Sequence, residues 1–349
     1  MRERLRMDCD DKQICLHIQG NEQVSMLITG RSRMGKTYFA SCLGCELIGQ
    51  GVGVHLIDLG NKWSTADKER LLSAGAVMRR VEKEGIILTF SSITEASGCG
   101  RIIANALGFR SAKANMLLKR SIRRIFALNG QRVTFDDLLE YLESSDEDHS
   151  EDHEWQLKVW EQLDSCGEMP NIIFLLDENN DFSKDSVIWD LSGLDDTYVQ
   201  VAAYLINYCL FCQQKRKFKN EDMIRKVFVI IDEFQALDCD RRSIIGTCLA
   251  EGQKYGIALI LITQFLNGNF NDAVIQQFKQ GGFRFYFRLT EEEAAVVSKE
   301  NAGNSRERGG LYKKLTTLSR GHCLMIGPHY IEDNSEVSEA CRFLEIRDM

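Results

Sequence analysis

Gly30-Arg31-Ser32-Arg33-Met34-Gly35-Lys36-Thr37 fits the phosphate-loop pattern G-x-x-x-x-G-K-[ST] at every defined position. Before it, Val24-Ser25-Met26-Leu27-Ile28-Thr29 reads as a buried strand; after it, Thr37-Tyr38-Phe39-Ala40-Ser41-Cys42-Leu43 reads as the start of a helix. That succession is the context in which the pattern carries chemistry. Glycines let consecutive backbone N–H groups turn toward one anion, and the positive end of the helix dipole adds to the attraction. Gly30, Arg31, Ser32, Arg33, Met34 and Gly35 are therefore the expected phosphate cradle, with Lys36 at the β/γ-phosphates and the Thr37 hydroxyl on Mg2+. A plain glycine-punctuated turn would not explain why a lysine and a hydroxyl follow the second glycine.

Two later strand ends extend the pattern. Lys226-Val227-Phe228-Val229-Ile230-Ile231 is a continuous apolar run that stops at two adjacent carboxylates. In a nucleotide hydrolase the first, Asp232, holds Mg2+, and the second, Glu233, polarises the attacking water. Gly256-Ile257-Ala258-Leu259-Ile260-Leu261-Ile262-Thr263 ends in Gln264, placed to sense a γ-phosphate and orient water. Asp58 closes a third such run, Gly53-Val54-His55-Leu56-Ile57-Asp58. It reads either as a residue of the ligand-binding edge or as a turn aspartate before Gly60.

Strands alternating with helical patterns predict an α/β fold with a mainly parallel sheet. Ile14-Cys15-Leu16-His17-Ile18 gives one short strand within residues 1–22, too little for a domain of its own. Residues 23–335 read as one domain with a helical insertion at about 100–180, and 336–349 as a tail. Within the insertion, Lys119, Arg120, Arg123 and Arg124 lie along one helix side, either a solvated face or a patch for phosphate contacts. His149 and His153 have the spacing of a zinc protease, but Ser150 stands where the glutamate must be, so no metal site is expected there.

A net charge of −8 rules out a surface that is basic all over; nucleic-acid contact would need a local patch or a ring of subunits. No apolar run approaches a membrane span, and the N-terminus lacks a signal-peptide core, so a cytoplasmic protein is expected. The 12 cysteines lack framework spacing and fit a reducing compartment. The pairs Cys42/Cys45 and Cys209/Cys212 fall on expected helices, where such spacing puts two small apolar side chains on one face.

These motifs together resemble the HerA/FtsK superfamily of RecA-like DNA-pumping ATPases. The resemblance runs through residues 30–37, Ile230-Ile231-Asp232-Glu233-Phe234-Gln235, Glu251-Gly252-Gln253-Lys254-Tyr255-Gly256 and Ile262-Thr263-Gln264. It also takes in Val187-Ile188-Trp189-Asp190-Leu191-Ser192-Gly193-Leu194 and Phe285-Tyr286-Phe287-Arg288-Leu289, spanning about residues 22–330. It implies ATP as the nucleotide, a homo-oligomeric ring, commonly hexameric, that threads double-stranded DNA, and a partner nuclease or other effector. The wording around Gln264-Phe265-Leu266-Asn267-Gly268 is similar to HerA-like modules of DNA processing and anti-phage defence.

One position departs from the resemblance. Members carry an arginine eleven residues before the sensor glutamine, as the finger that reaches a neighbour's site; here that position is Gln253. A neutral amide cannot supply that charge, worth on the order of 10³ or more in rate. Lys254, Arg284 or Arg288 could replace it, although Arg284 and Arg288 also suit the polar face of an edge strand. The expected function is a Mg2+-dependent ATPase motor, and the alternative is an ATP-gated oligomeric scaffold that activates an effector. A small-molecule kinase would leave the strand-end glutamine without a role.

Overall fold

The computed structural model describes residues 4–9, 12–17, 24–60, 62–144, 151–164, 171–220, 226–237, 239, 243–266, 278, 282–327, 329–331 and 342–346. The segment 145–150, with most of the acidic run and His149, and residues 267–268 of the defence-like wording lie outside these.

In chain order the strands are β1 (Arg4–Cys9), β2 (Lys12–His17), β3 (Met26–Thr29), β4 (Gly53–Asp58), β5 (Val77–Arg80), β6 (Ile86–Phe90), β7 (Arg132–Thr134) and β8 (Ile172–Leu176). Then come β9 (Val187–Asp190), β10 (Val227–Ile231), β11 (Ile257–Thr263), β12 (Phe283–Tyr286), β13 (His322–Ile326), β14 (His329–Ile331) and β15 (Arg342–Glu345). Nine of them form the central sheet, in the order β15-β13-β12-β3-β11-β10-β4-β9-β5. From β12 to β5 every neighbouring pair is parallel, and β13 runs antiparallel to both β12 and β15.

The expected α/β fold with a mainly parallel sheet is what forms, and its strands are apolar on both faces because both are covered. On one face Met26, Ile28, Leu56, Phe228, Ile230 and Ile260 pack with Phe39 and Leu43 of the helix Lys36–Gly49. On the other, Leu27, Ile57, Val229, Leu259 and Leu261 pack with Leu205, Ile206 and Cys209 of the long helix Asp196–Asn220.

Three elements differ from the sequence reading. β1 pairs antiparallel with β2, and β2 also pairs with β14, so the N-terminal strands join a strand near the C-terminus in a separate sheet. The segment between β5 and β9 is mixed: β6, β8 and β7 make a three-stranded sheet beside the helices Cys99–Ala106, Ala112–Asn129, Phe135–Ser144 and Glu151–Asp164. Finally, β12 is no edge strand, since β3 and β13 flank it.

His55, in the middle of β4, is fully buried, and its ring stacks on Trp189. Trp189 Nε1 donates to His55 Nδ1 over 3.2 Å, which leaves the proton of the neutral ring on Nε2. Burial holds its pKa down at about 3, against the Phe182 backbone and Asp181 charge, which act the other way. A folded pKa below the unfolded 6.5 means the unfolded chain binds the extra proton first, so stability is lost as pH falls below about 6.5. We expect about 2 kcal/mol lost by pH 5 through this ring. Denaturant melts of the wild type and His55→Phe across pH 5–8 test this: the variant's acid limb should be shallower.

Candidate functional site

Sheet order creates the site. The phosphate loop leaves β3, the two carboxylates leave β10, and β11, which ends just before Gln264, lies between those strands. All three chain ends therefore emerge side by side at the carboxyl edge, where ligands of such sheets bind.

The loop turns through Gly30 at φ 141°, Arg33 at φ 63° and Gly35 at φ 100°. It is clamped from outside: Arg31 N–H donates to Arg288 O (2.8 Å), and Gly321 N–H donates to Met34 O (3.0 Å). Gly30 is fixed by space as well as by angle. A Cβ there would sit 2.7 Å from Phe287 Cβ and 3.1 Å from Arg288 O. Gly30→Ala should therefore cost about 1–3 kcal/mol and distort the loop; calorimetry and ATP-analogue binding should show a lower melting temperature and weaker binding.

Lys36 is buried at the start of its helix, and its Nζ donates to Gly30 O (2.6 Å) and Arg31 O (3.0 Å). Burial lowers its pKa, while Asp232, Glu233 and Glu293 oppose the shift. Thr37 Oγ1 donates to Asp232 Oδ2 (2.9 Å), joining loop to strand end, and Glu233 N–H donates to Asp232 Oδ1 (2.8 Å). Asp232 is 4% exposed, and burial, helped by the Glu233 charge, raises its pKa to about 6. A buried carboxylate beside a hydroxyl is an all-oxygen donor pair that suits a hard divalent cation. Thr37 and Asp232 thus fit Mg2+.

Glu233 sits at φ 53°. It and Arg33 are the two non-glycine residues with positive φ among those described, and both are in this site. Such backbone costs on the order of 1–3 kcal/mol each and persists where the surroundings enforce it. A chain of side chains crosses the site: Ser32 Oγ donates to Gln264 Oε1, Gln264 Nε2 to Glu233 Oε1, and Gln235 Nε2 to Glu233 Oε2. Ser32 and Thr37 of the loop, Asp232, Glu233 and Gln264, drawn from all three motifs, are thus linked in one hydrogen-bonded network.

Two participants escaped the sequence reading. One is Gln235. The other is Glu293, 4% exposed, whose Oε1 accepts from Leu266 N–H (2.7 Å) and so pins the turn after Gln264. Its Oε2 accepts from Thr290 Oγ1 (2.8 Å) and Thr290 N–H (3.2 Å), a capping box. The T-x-x-E spacing was the available signal.

The other candidates have other partners, although Asp58 ends β4 at the same carboxyl edge, beside β10. Asp58 is buried in an ion pair with Lys68 (2.7 Å) and accepts from Lys62 N–H (3.0 Å). Both cysteine pairs lie on helices as expected, and no group of three or more His, Cys, Asp or Glu side chains able to hold a metal occurs among the described residues. Gln253 lies in the turn Gly252–Tyr255 ahead of β11, at the opposite end of that strand from Gln264. Seven residues of strand put it about 20 Å from its own phosphate site. Lys254 rests 5.5 Å from the Phe218 ring and 5.4 Å from the Tyr255 ring. Arg288 Nε donates to Thr316 O (2.9 Å), and Arg284 Nε is buried in β12.

Among solved structures, VirB4 of Thermoanaerobacter pseudethanolicus superposes with a TM-score of 0.66 at 14% identity, covering 98% of this chain and 96% of that one. The fold is that of VirB4. The bacterial conjugative coupling protein TrwB shares it, with a TM-score of 0.54 at 13% identity over 93% of this chain and 85% of that one. So does the plasmid coupling protein TrwB in complex with the non-hydrolysable ATP analogue ADPNP, with a TM-score of 0.54 at 12% identity and 94% and 86% coverage. No protein-family model and no curated protein matches the sequence. The fold agrees with the HerA/FtsK resemblance, and the likeness to VirB4 extends over nearly the whole chain. No helix among the described residues is long and apolar enough to cross a membrane.

Proposed function

We propose that the chain is a Mg2+-dependent ATPase and the subunit of a ring-forming motor that moves double-stranded DNA. The observation that carries the reading is the convergence of Lys36, Thr37, Asp232, Glu233, Gln264 and Ser32 from three adjacent strand ends. Lys36 exchanges the carbonyls of Gly30 and Arg31 for phosphate oxygens. Thr37 and Asp232 hold Mg2+, which when bound neutralises charge on the β- and γ-phosphates. Glu233 takes the proton of the attacking water, and Gln264 reports the state of the γ-phosphate.

The ring and the DNA substrate rest on the motif resemblance and on the fold shared with a conjugative coupling protein. A nuclease or other effector partner, in DNA processing or anti-phage defence, rests on the resemblance alone. Steady-state ATP hydrolysis by the purified chain, with and without duplex DNA, tests the proposal beside a sizing column. DNA-stimulated turnover in a large ring supports it; a monomer in the presence of ATP and DNA counts against it.

A second reading, an ATP-gated scaffold that activates an effector, is favoured by one observation. Gln253 is neutral, Lys254 lies against two rings, and Arg288 is bonded to Thr316. A ring that binds ATP yet hardly hydrolyses it would support this reading.

A further inference from the structure

Both carboxylate oxygens of Glu233 accept an amide hydrogen, one from Gln264 Nε2 and one from Gln235 Nε2. Each bond holds the carboxylate in place, whereas a general base must be turned toward its water, so these bonds oppose its work. They do not have the same release. A phosphate supplies acceptors and no donors, and beside Lys36 Nζ the Ser32 hydroxyl and the Gln264 amide are donors at the phosphate loop. A γ-phosphate arriving there competes for both, and in winning them frees Glu233 Oε1. Nothing in that exchange reaches the bond from Gln235.

Gln235 stands two residues along the chain, in the turn Phe234–Ala236 that follows β10. That turn is tied to the long helix Asp196–Asn220, because Gln200 Nε2 donates to Ala236 O (3.3 Å). The hold on Oε2 is therefore attached to the scaffold and is independent of nucleotide.

We propose that Gln235 is a catch on the catalytic carboxylate. By its bond to Oε2 it holds the carboxylate in its resting orientation after ATP has bound, so that the freed Oε1 is not turned toward the attacking water until the turn Phe234–Ala236 moves. Gln235 is thus a positioning residue that acts through Glu233 and slows the resting enzyme. The inference rests on the site being an ATPase.

The test compares wild type with Gln235→Met and Gln235→Leu, two apolar substitutions that cannot donate the bond. Turnover without DNA is expected to rise about ten- to a hundredfold, the hold expected of one charge-assisted hydrogen bond. The KM for ATP should be unchanged, and in a Glu233→Gln background the Gln235 substitutions should do nothing. A residue that merely supports the fold or orients Glu233 productively gives equal or slower turnover when lost, and that result overturns the catch.

Carboxyl footprinting of Glu233, read by peptide mass spectrometry, gives a measure independent of hydrolysis. Modification should be higher in Gln235→Met than in wild type, and equal modification overturns the proposal. If the wild-type chain hydrolyses no nucleoside triphosphate, the ATPase reading fails and footprinting still decides the catch.

Discussion

Glu233→Gln is expected to lower ATP turnover by about 10²- to 10⁴-fold, the range typical of a lost general base, while ATP stays bound. An amide keeps the size of the side chain but cannot accept the proton of water. It also keeps one oxygen, so Gln264 Nε2 retains an acceptor, whereas the new NH2 would face Gln235 Nε2 donor to donor. The amide settles with its oxygen toward one partner, and the loop, Lys36 and Thr37 are undisturbed. Filter binding of labelled ATP and single-turnover hydrolysis separate the two effects: affinity within about threefold of wild type, chemistry nearly abolished. Turnover within tenfold of wild type would assign the base to another group.

The strands that carry the three motifs were legible because each signal is local. An apolar run of four to seven residues, buried on both faces, ends in the polar groups that do the chemistry, and neither run nor end depends on the rest of the chain. What escaped was set by sheet order. Phe287 and Arg288 clamp the phosphate loop only because β12 pairs with β3, more than 250 residues away in sequence, and alternation alone made β12 look like an edge. β5 was missed because Val77-Met78-Arg79-Arg80 is largely exposed and lacks the apolar run of an interior strand. The strand Ile172–Leu176 lies in a segment whose dominant pattern is helical, and its partners are β6, ahead of that pattern, and the three-residue β7, in the middle of it.

Ambiguous side chains were resolved by their partners. Asp58 proved to be half of a buried ion pair. Two members of the basic run also have structural contacts: Arg123 Nε donates to Ser97 Oγ and Arg124 to the Tyr141 hydroxyl, while all four cations remain exposed. Glu293 and Gln235 gain their meaning from a turn after β11 and from a carboxylate two residues away, which periodicity does not report.

Lys36→Ala is the substitution expected to cost most. It should weaken ATP binding at least about tenfold and bring hydrolysis to background, because the ammonium is the charge that meets the β/γ-phosphates. The loss has a second part that the exposed arginines of the loop cannot make good. Lys36 Nζ is the donor to the carbonyls of Gly30 and Arg31, inside a loop whose backbone already holds a left-handed residue. Without that donor the two carbonyls lose their hydrogen-bond partner in the resting loop, which is then less firmly held before nucleotide arrives. It also removes the cation nearest Asp232 and Glu233, leaving buried negative charge less compensated. Lys36→Arg separates the contributions. It keeps the positive charge but carries a planar fork in place of a compact ammonium, so it should recover part of the binding and little of the hydrolysis. Titration with a fluorescent ATP analogue, beside phosphate release, reads both quantities, and full activity in either variant would remove Lys36 from the site.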